Sequence, residues 1–204
     1  MPPASVEAAA QQASTNDLTD TVSLLLTRRS QAIANLTDAG PDAKDLRIIL
    51  TAAARVPDHG KLAPWRYIVF KGDRRAAFGA YLEQRLRASR PDAGELMFEK
   101  ARTTFTEAPV VIGVVSRAAP HVKIPEWEQY LSAGASCMNI VIAATALGYG
   151  VQWVTGWYAY DREVASHLGL ADHERMAGFI FIGGMGERPT DRARPDLAAL
   201  VSEY

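Results

Sequence analysis

Apolar residues recur along this chain at two periods, and the switches between them divide it into helices and strands. Leu18, Val22, Leu25 and Leu26 stand at helical spacing, with Thr19 and Asp20 as available caps, so a short first helix is expected from Leu18 to Arg29. After the Gly40-Pro41 turn, Leu46, Ile49, Leu50 and Ala53 fall on one face of a second helix, Asp42 to Ala54. The aromatic and β-branched run from Trp65 to Lys71 reads as a strand. Gly72-Asp73 then opens a charged amphipathic helix to Ser89, which Arg90-Pro91-Asp92 breaks. A further helix is expected from Ala93 to Thr106. Pro109 to Ser116 is continuously apolar, the pattern of a strand covered on both faces at the centre of a sheet. A loop with two prolines, Ala118 to Pro125, leads to the longest helical segment, Glu126 to Leu147. From Ala133 onward that helix is small or apolar on nearly every side, so burial all round is expected, partly against a second copy of the chain. Short strands follow at Val151 to Thr155 and Ala177 to Ile182, with a helix capped by Asp161 and reaching Leu168 between them. The stretch from Glu187 to Tyr204, with several arginines and prolines, is expected to wrap over a surface.

Composition narrows the class. A chain of 204 residues with 48% hydrophobic content can bury a sizeable core, and one domain with a C-terminal extension is expected over residues 18–204. Residues Met1 to Asp17 lack the basic start and apolar core of a secretory signal and the arginines of a transit peptide. They read as a disordered Ala/Gln/Ser tail. A net charge of −1 provides no basic footprint for nucleic acid and no polybasic patch for a membrane. The apolar stretch Ile140 to Leu147 falls far short of the roughly 20 residues that span a bilayer. A single cysteine, Cys137, excludes an internal disulfide framework and a cysteine-rich metal site, and it fits a reducing cytoplasm.

Two stretches carry candidate chemistry. From Ala52 to Phe70 the residues Arg55, His59, Lys61 and Arg66 are interleaved with Pro57, Gly60 and Pro64. This is either a stiff donor-rich turn suited to an anionic planar ligand or a solvated helix-to-strand connection. Arg28-Arg29-Ser30 has the composition of a phosphate clamp, because guanidinium offers a planar fork of donors, or else its arginines complement a helix macrodipole. Other chemistries fail at specific positions. A P-loop would need glycine at Arg55 and a hydroxyl at Leu62. The dinucleotide fingerprint begun by Gly148-Tyr-Gly150 reaches Trp153 instead of glycine and lies between a helix and a strand. The zinc-protease pattern begun at His173-Glu174 meets Ala177 where a second histidine is required. Gly134-Ala-Ser136-Cys137-Met138 misses the last glycine of a nucleophile elbow and lies inside a helix, so no metal site and no acyl-transfer nucleophile are expected. Binders of anions and polar rings remain, without a protein nucleophile, and that pattern suits an enzyme whose cofactor does the chemistry.

Four blocks then resemble the nitroreductase family of FMN-dependent oxidoreductases, most closely its compact YdjA-like branch. They are Leu26-Thr-Arg-Arg-Ser30; Ala53-Ala-Arg-Val-Pro-Asp-His59 with Pro64-Trp65; Pro125-Glu-Trp-Glu-Gln-Tyr-Leu-Ser-Ala-Gly134; and Ala146-Leu-Gly-Tyr-Gly150 through Trp153-Val-Thr-Gly156. The resemblance implies an α+β fold around a mainly antiparallel sheet flanked by helices. It also implies a homodimer built on the long central helix, with FMN at the interface. It implies that Arg28, Arg29 and Ser30 hold the phosphate and ribityl chain, that Trp153, Val154 and Thr155 lie along the flavin, and that Arg55 and His59 reach it from the other subunit. A tail arginine, Arg192 or Arg194, would join the phosphate, with Arg194 the candidate. The stretch Ala143, Ala144, Thr145, Ala146, Leu147 and Gly148 corresponds to an NAD(P)-contacting segment, although its composition is that of plain core. Two positions depart from the family's pattern. Ala32 stands where many members have a basic residue, and Gly60 to Ala63 offers only Lys61 where asparagine and glutamine are common. The implied activity is ping-pong reduction of nitroaromatics, quinones or similar small acceptors by NAD(P)H. Alternatives are a flavin-binding or redox-sensing protein with little turnover, and a dehydrogenase or reductive dehalogenase on the same scaffold.

Overall fold

The computed structural model describes residues 15–204, so the expected N-terminal tail lies outside the described residues except for Thr15 to Asp17. Those three are tied down. The Asn16 amide donates to the Thr27 carbonyl, the Asn16 side chain accepts from the Arg29 amide, and Thr15 Oγ1 donates to the Pro189 carbonyl. The described residues gather into two compact units, the chain through Arg29 with Arg188–Tyr204, and Ser30–Glu187.

In the first unit, helix α1 (Thr21–Thr27) is shorter than expected because Asp20 caps it, its carboxylate accepting from the amides of Val22 and Ser23. The apolar positions Leu18, Val22, Leu25 and Leu26 do not form its buried face. They are 47–63% exposed, while Leu24 and Thr27 are buried.

The second unit is built on an antiparallel sheet. Its strands are β1 (Leu36–Thr37), β2 (Trp65–Lys71), β3 (Val110–Ser116), β4 (Tyr149–Val154) and β5 (Arg175–Met185). β3 pairs with β2 on one side and β5 on the other, and β4 pairs along the far edge of β5. Gly184 is paired with both Thr37 and Tyr149, so β1 continues the β3 side of β5 beyond the end of β3. That pairing is why β5 runs past the Ile182 end expected from sequence. The helices are α2 (Ala43–Ala53), α3 (Asp73–Ser89), α4 (Glu95–Thr103), α5 (Glu126–Ala146) and α6 (Arg162–His167).

Strand alternation sorts the core into two layers. Val111, Val115, Phe179 and Phe181 face a cluster with Phe70, Phe78, Leu82, Leu86, Phe98 and Phe105, which brings in α3 and α4. Val110, Ile112, Val114, Ile180 and Ile182 face the opposite cluster, where Ile49 and Ala53 of α2 meet Cys137, Ile140, Val141 and Ala144 of α5. Every residue of β3 is buried, as its continuous apolar run requires. Burial pushes the Cys137 thiol up to about 12, so it is a packing group and not a nucleophile.

Helix α5 has a buried face and an open one within the single chain. Ala133, Ser136, Cys137, Ile140, Val141, Ala144 and Thr145 are buried, but Gly134, Ala135, Met138 and Asn139 are half-buried, and Trp127, Tyr130 and Leu131 are exposed. A Cβ added at Gly134 would meet nothing within 4 Å. One side of this helix is therefore left open by the single chain. Among the described residues no helix is long and apolar enough to cross a membrane.

Candidate functional site

The end of α1 gathers arginines. Arg29 Nε donates to the Thr190 carbonyl at 3.0 Å, and Asp191 lies 3.6 Å from Arg29 and 2.9 Å from Arg194. Arg194 also donates to the Arg28 carbonyl at 3.3 Å, which puts this tail arginine beside the sequence-predicted clamp. Burial, followed by the charges of Arg194, Arg29 and Arg192, holds the half-buried Arg28 guanidinium below its ordinary value. Four guanidiniums are thus brought near one another, with Asp191 offsetting part of their charge. A doubly charged anion is the ligand chemistry that would offset the rest.

In the second unit, Ser30 is followed by Gln31, whose amide donates to the Val151 carbonyl of β4 at 2.9 Å. This bond ties the start of that unit to the strand carrying Trp153 and Val154. Trp153 is 39% exposed and its indole packs close to Gly178, where a Cβ would come within 1.9 Å of Nε1. The same Nε1 donates to the Ala177 carbonyl at 3.3 Å, while Val154 and Thr155 are half-buried. The strand end therefore presents a part-exposed indole beside two half-buried residues.

The Ala52 to Phe70 stretch is held from α5. Asn139 Nδ2 donates to the carbonyls of Ala52 and Arg55, Ser132 Oγ donates to the Pro57 carbonyl at 2.6 Å, and Trp65 Nε1 donates to Ser132 Oγ at 3.1 Å. Its tip is strained. Gly60, Lys61 and Ala63 all have positive φ (73°, 57° and 46°), and the Asp58 carboxylate holds that shape by accepting from the amides of Leu62 and Ala63. Gly60 has no alternative here, since a Cβ would meet Ile124 Cδ1 at 2.3 Å. Arg55 and His59 are exposed, and His59 Nδ1 lies 2.6 Å from Glu128 Oε2. Glu128 carried no signal in the sequence, because it stands 69 residues from its partner.

Arg66 leaves the expected donor set. It forms a fork with the buried Glu174, Nε to Oε1 at 2.9 Å and Nη2 to Oε2 at 2.7 Å. The Arg66 hydrogen bonds, with the Ala171 amide and the charge of Arg117, outweigh burial and lower the Glu174 carboxyl from 4.5 to about 2. The linkage is that of a depressed acid, so its stabilisation is complete above about pH 4.5 and is lost as pH falls towards 2. The shift corresponds to about 2–3 kcal/mol once the partial exposure of Arg66 is allowed for. Glu174→Gln is expected to be less stable than the parent at about pH 6, with the gap narrowing by about pH 3 in urea denaturation. A gap independent of pH would show that the pair does not act through this proton.

The Ala143 to Gly148 stretch closes α5. Ala144 and Thr145 are buried, and Thr145 Oγ1 donates to the Val141 carbonyl within the helix. Only half-buried Ala143 and exposed Ala146, Leu147 and Gly148 are open to a ligand. A cavity of about 510 Å³ lined by Tyr160, Asp161, Leu170, Arg175 and Met176 contains none of the expected cofactor-binding residues.

These features define an α+β protein with a mainly antiparallel sheet, a guanidinium cluster and a braced, strained loop. The chain belongs to the nitroreductase family, whose model, described as "Nitroreductase family", matches residues 25–184. It is 35% identical over 164 residues to the Escherichia coli K12 protein named "Putative NAD(P)H nitroreductase YdjA", covering 80% of this chain and 87% of that one. A Haemophilus influenzae protein named "Putative NAD(P)H nitroreductase" is 36% identical over 167 residues, covering 80% and 88%. The crystal structure of a nitroreductase-like family protein from Bacillus cereus has the same fold, with a TM-score of 0.76 at 23% identity over 91% of this chain and 96% of that one. So does a structure from Desulfovibrio desulfuricans, described as a putative nitroreductase in complex with FMN, at a TM-score of 0.68 and 23% identity over 91% and 98%. The family and fold expected from the four sequence blocks are borne out.

Proposed function

We propose that the protein is an FMN-dependent NAD(P)H oxidoreductase that works as a homodimer and reduces small acceptors such as nitroaromatics and quinones. The observation that carries this reading is the arginine cluster at Arg28, because its mutual repulsion fits the phosphate of FMN. Relatives named as NAD(P)H nitroreductases, and a structure of the same fold described with FMN, support it.

Arg28, Arg29, Ser30 and Arg194 hold the phosphate end, with Asp191 orienting Arg29 and Arg194. Trp153, Val154 and Thr155 lie along the ring. Arg55 and His59 of the second copy approach it, with Arg55 or Lys61 placing positive charge where reduction leaves negative charge. When bound, FMN supplies the two-electron chemistry that the side chains here do not offer. Ala143 and the Ala146 to Gly148 turn form the accessible part of the dinucleotide contact, with Ala144 and Thr145 packed behind. The homodimer reading rests on the apolar residues each chain leaves uncovered: Val22, Leu25 and Leu26 on α1, and Trp127, Tyr130 and Leu131 on α5. A cytoplasmic location is proposed from the lone buried thiol. Protein purified after expression with ample flavin is expected to be yellow and to show flavin absorbance. A colourless protein that takes up no FMN on titration would contradict the reading.

A further inference from the structure

The strained loop holds a pair that the binding of a cofactor alone does not require. His59 Nδ1 sits 2.6 Å from Glu128 Oε2, on a ring that is 61% exposed. A carboxylate at Nδ1 fixes the imidazole tautomer and orientation, which leaves Nε2 as the working nitrogen. The pair is braced from both sides. Ser132, one turn along α5 from Glu128, takes the Pro57 carbonyl, and Gln129 clamps the preceding loop through Ala119 and Ile124. The backbone strain at Gly60, Lys61 and Ala63 immediately after His59 is maintained by Asp58. Strain held in this way accompanies functional placement.

Building on the oxidoreductase reading, we infer that His59 is the acid that completes reduction of the acceptor, with Glu128 as its positioning residue. A quinone that takes two electrons and one proton from the reduced cofactor becomes an oxyanion lacking one proton. His59 supplies it: the Nε2–H bond breaks, an O–H bond forms, the quinone is reduced to hydroquinone and the cofactor is oxidised. The neutral imidazole regains its proton from solvent, to which it is open. Other charged groups on the surrounding elements are Arg55, Asp58 and Lys61 on the same loop, His121 and Lys123 on the loop before α5, and Glu126 on α5. Of these, Asp58 is committed to two amides, and His121 Nδ1 accepts from the amides of Lys123 and Ile124.

The test compares two acceptors on the FMN-loaded dimer, a benzoquinone that must be protonated and ferricyanide that takes electrons alone. The quinone-to-ferricyanide ratio of reoxidation rates is expected to fall by about tenfold or more in His59→Gln, and by a smaller factor in Glu128→Gln with partial rescue in Glu128→Asp. A second readout needs no flavin. In long-range ¹H–¹⁵N spectra of the apoprotein near pH 8, the resonance missing from His59→Gln should carry its proton on Nδ1 in the parent and lose that preference in Glu128→Gln. An unchanged acceptor ratio, or a proton resident on Nε2 in the parent, overturns this inference and leaves the oxidoreductase reading standing. Failure of NADH and NADPH to reduce bound flavin in the parent overturns both.

Discussion

Arg28→Ala is expected to weaken FMN binding by roughly ten- to a hundredfold, because a hydrogen bond to a charged group contributes about 1.5–3 kcal/mol. The flavin-free protein should behave differently. Burial and the charges of Arg194, Arg29 and Arg192 hold the Arg28 guanidinium below its ordinary value, so its truncation costs the empty fold little. The thermal midpoint without FMN should therefore stay within a few degrees of the parent, while the rise in midpoint on adding FMN shrinks. Flavin titration together with thermal melts measures both quantities. Equal FMN affinity in parent and variant would remove the phosphate clamp from the account.

Phe105→Ala is expected to destabilise the fold by about 3–5 kcal/mol, the range for truncating a buried phenylalanine. Phe105 is fully buried. Its ring lies 4.6–5.4 Å from those of Phe78, Phe70, Phe179 and Phe181, and 5.5 Å from Tyr158. It joins α3, β2, β5 and the turn after β4, so the cavity cannot close by moving one neighbour. Urea denaturation should show a lower midpoint with a similar slope. A loss below about 1 kcal/mol would mean that the aromatic layer repacks around the missing ring.

The sequence made local structure readable and left distant pairings hidden. Trp65 to Lys71 has the boundaries its pattern requires, and Asp42 and Asp161 cap the helices they precede, because cap and strand signals lie within a few residues of what they control. The His59–Glu128 pair spans 69 residues and Arg66–Glu174 spans 108, and no periodicity reports such contacts. Arg66 therefore read as a free loop cation although its charge is neutralised. The positive φ of Lys61 and Ala63 was also hidden, although the Asp58 side chain that holds it bonds amides only four and five residues on, because neither residue favours that conformation. The core face of α5 from Ala133 onward was legible in its small and apolar residues, whereas the exposed Trp127, Tyr130 and Leu131 before it show only that composition registers apolar surface and not what covers it.

The loop and cluster meet a direct test in anaerobic addition of NADH, and separately NADPH, to the FMN-loaded protein, followed by a quinone. The flavin absorbance is expected to bleach with at least one nucleotide and to return when the quinone is added. Flavin that stays oxidised in excess of both nucleotides would contradict the oxidoreductase reading and leave a flavin-binding protein without turnover.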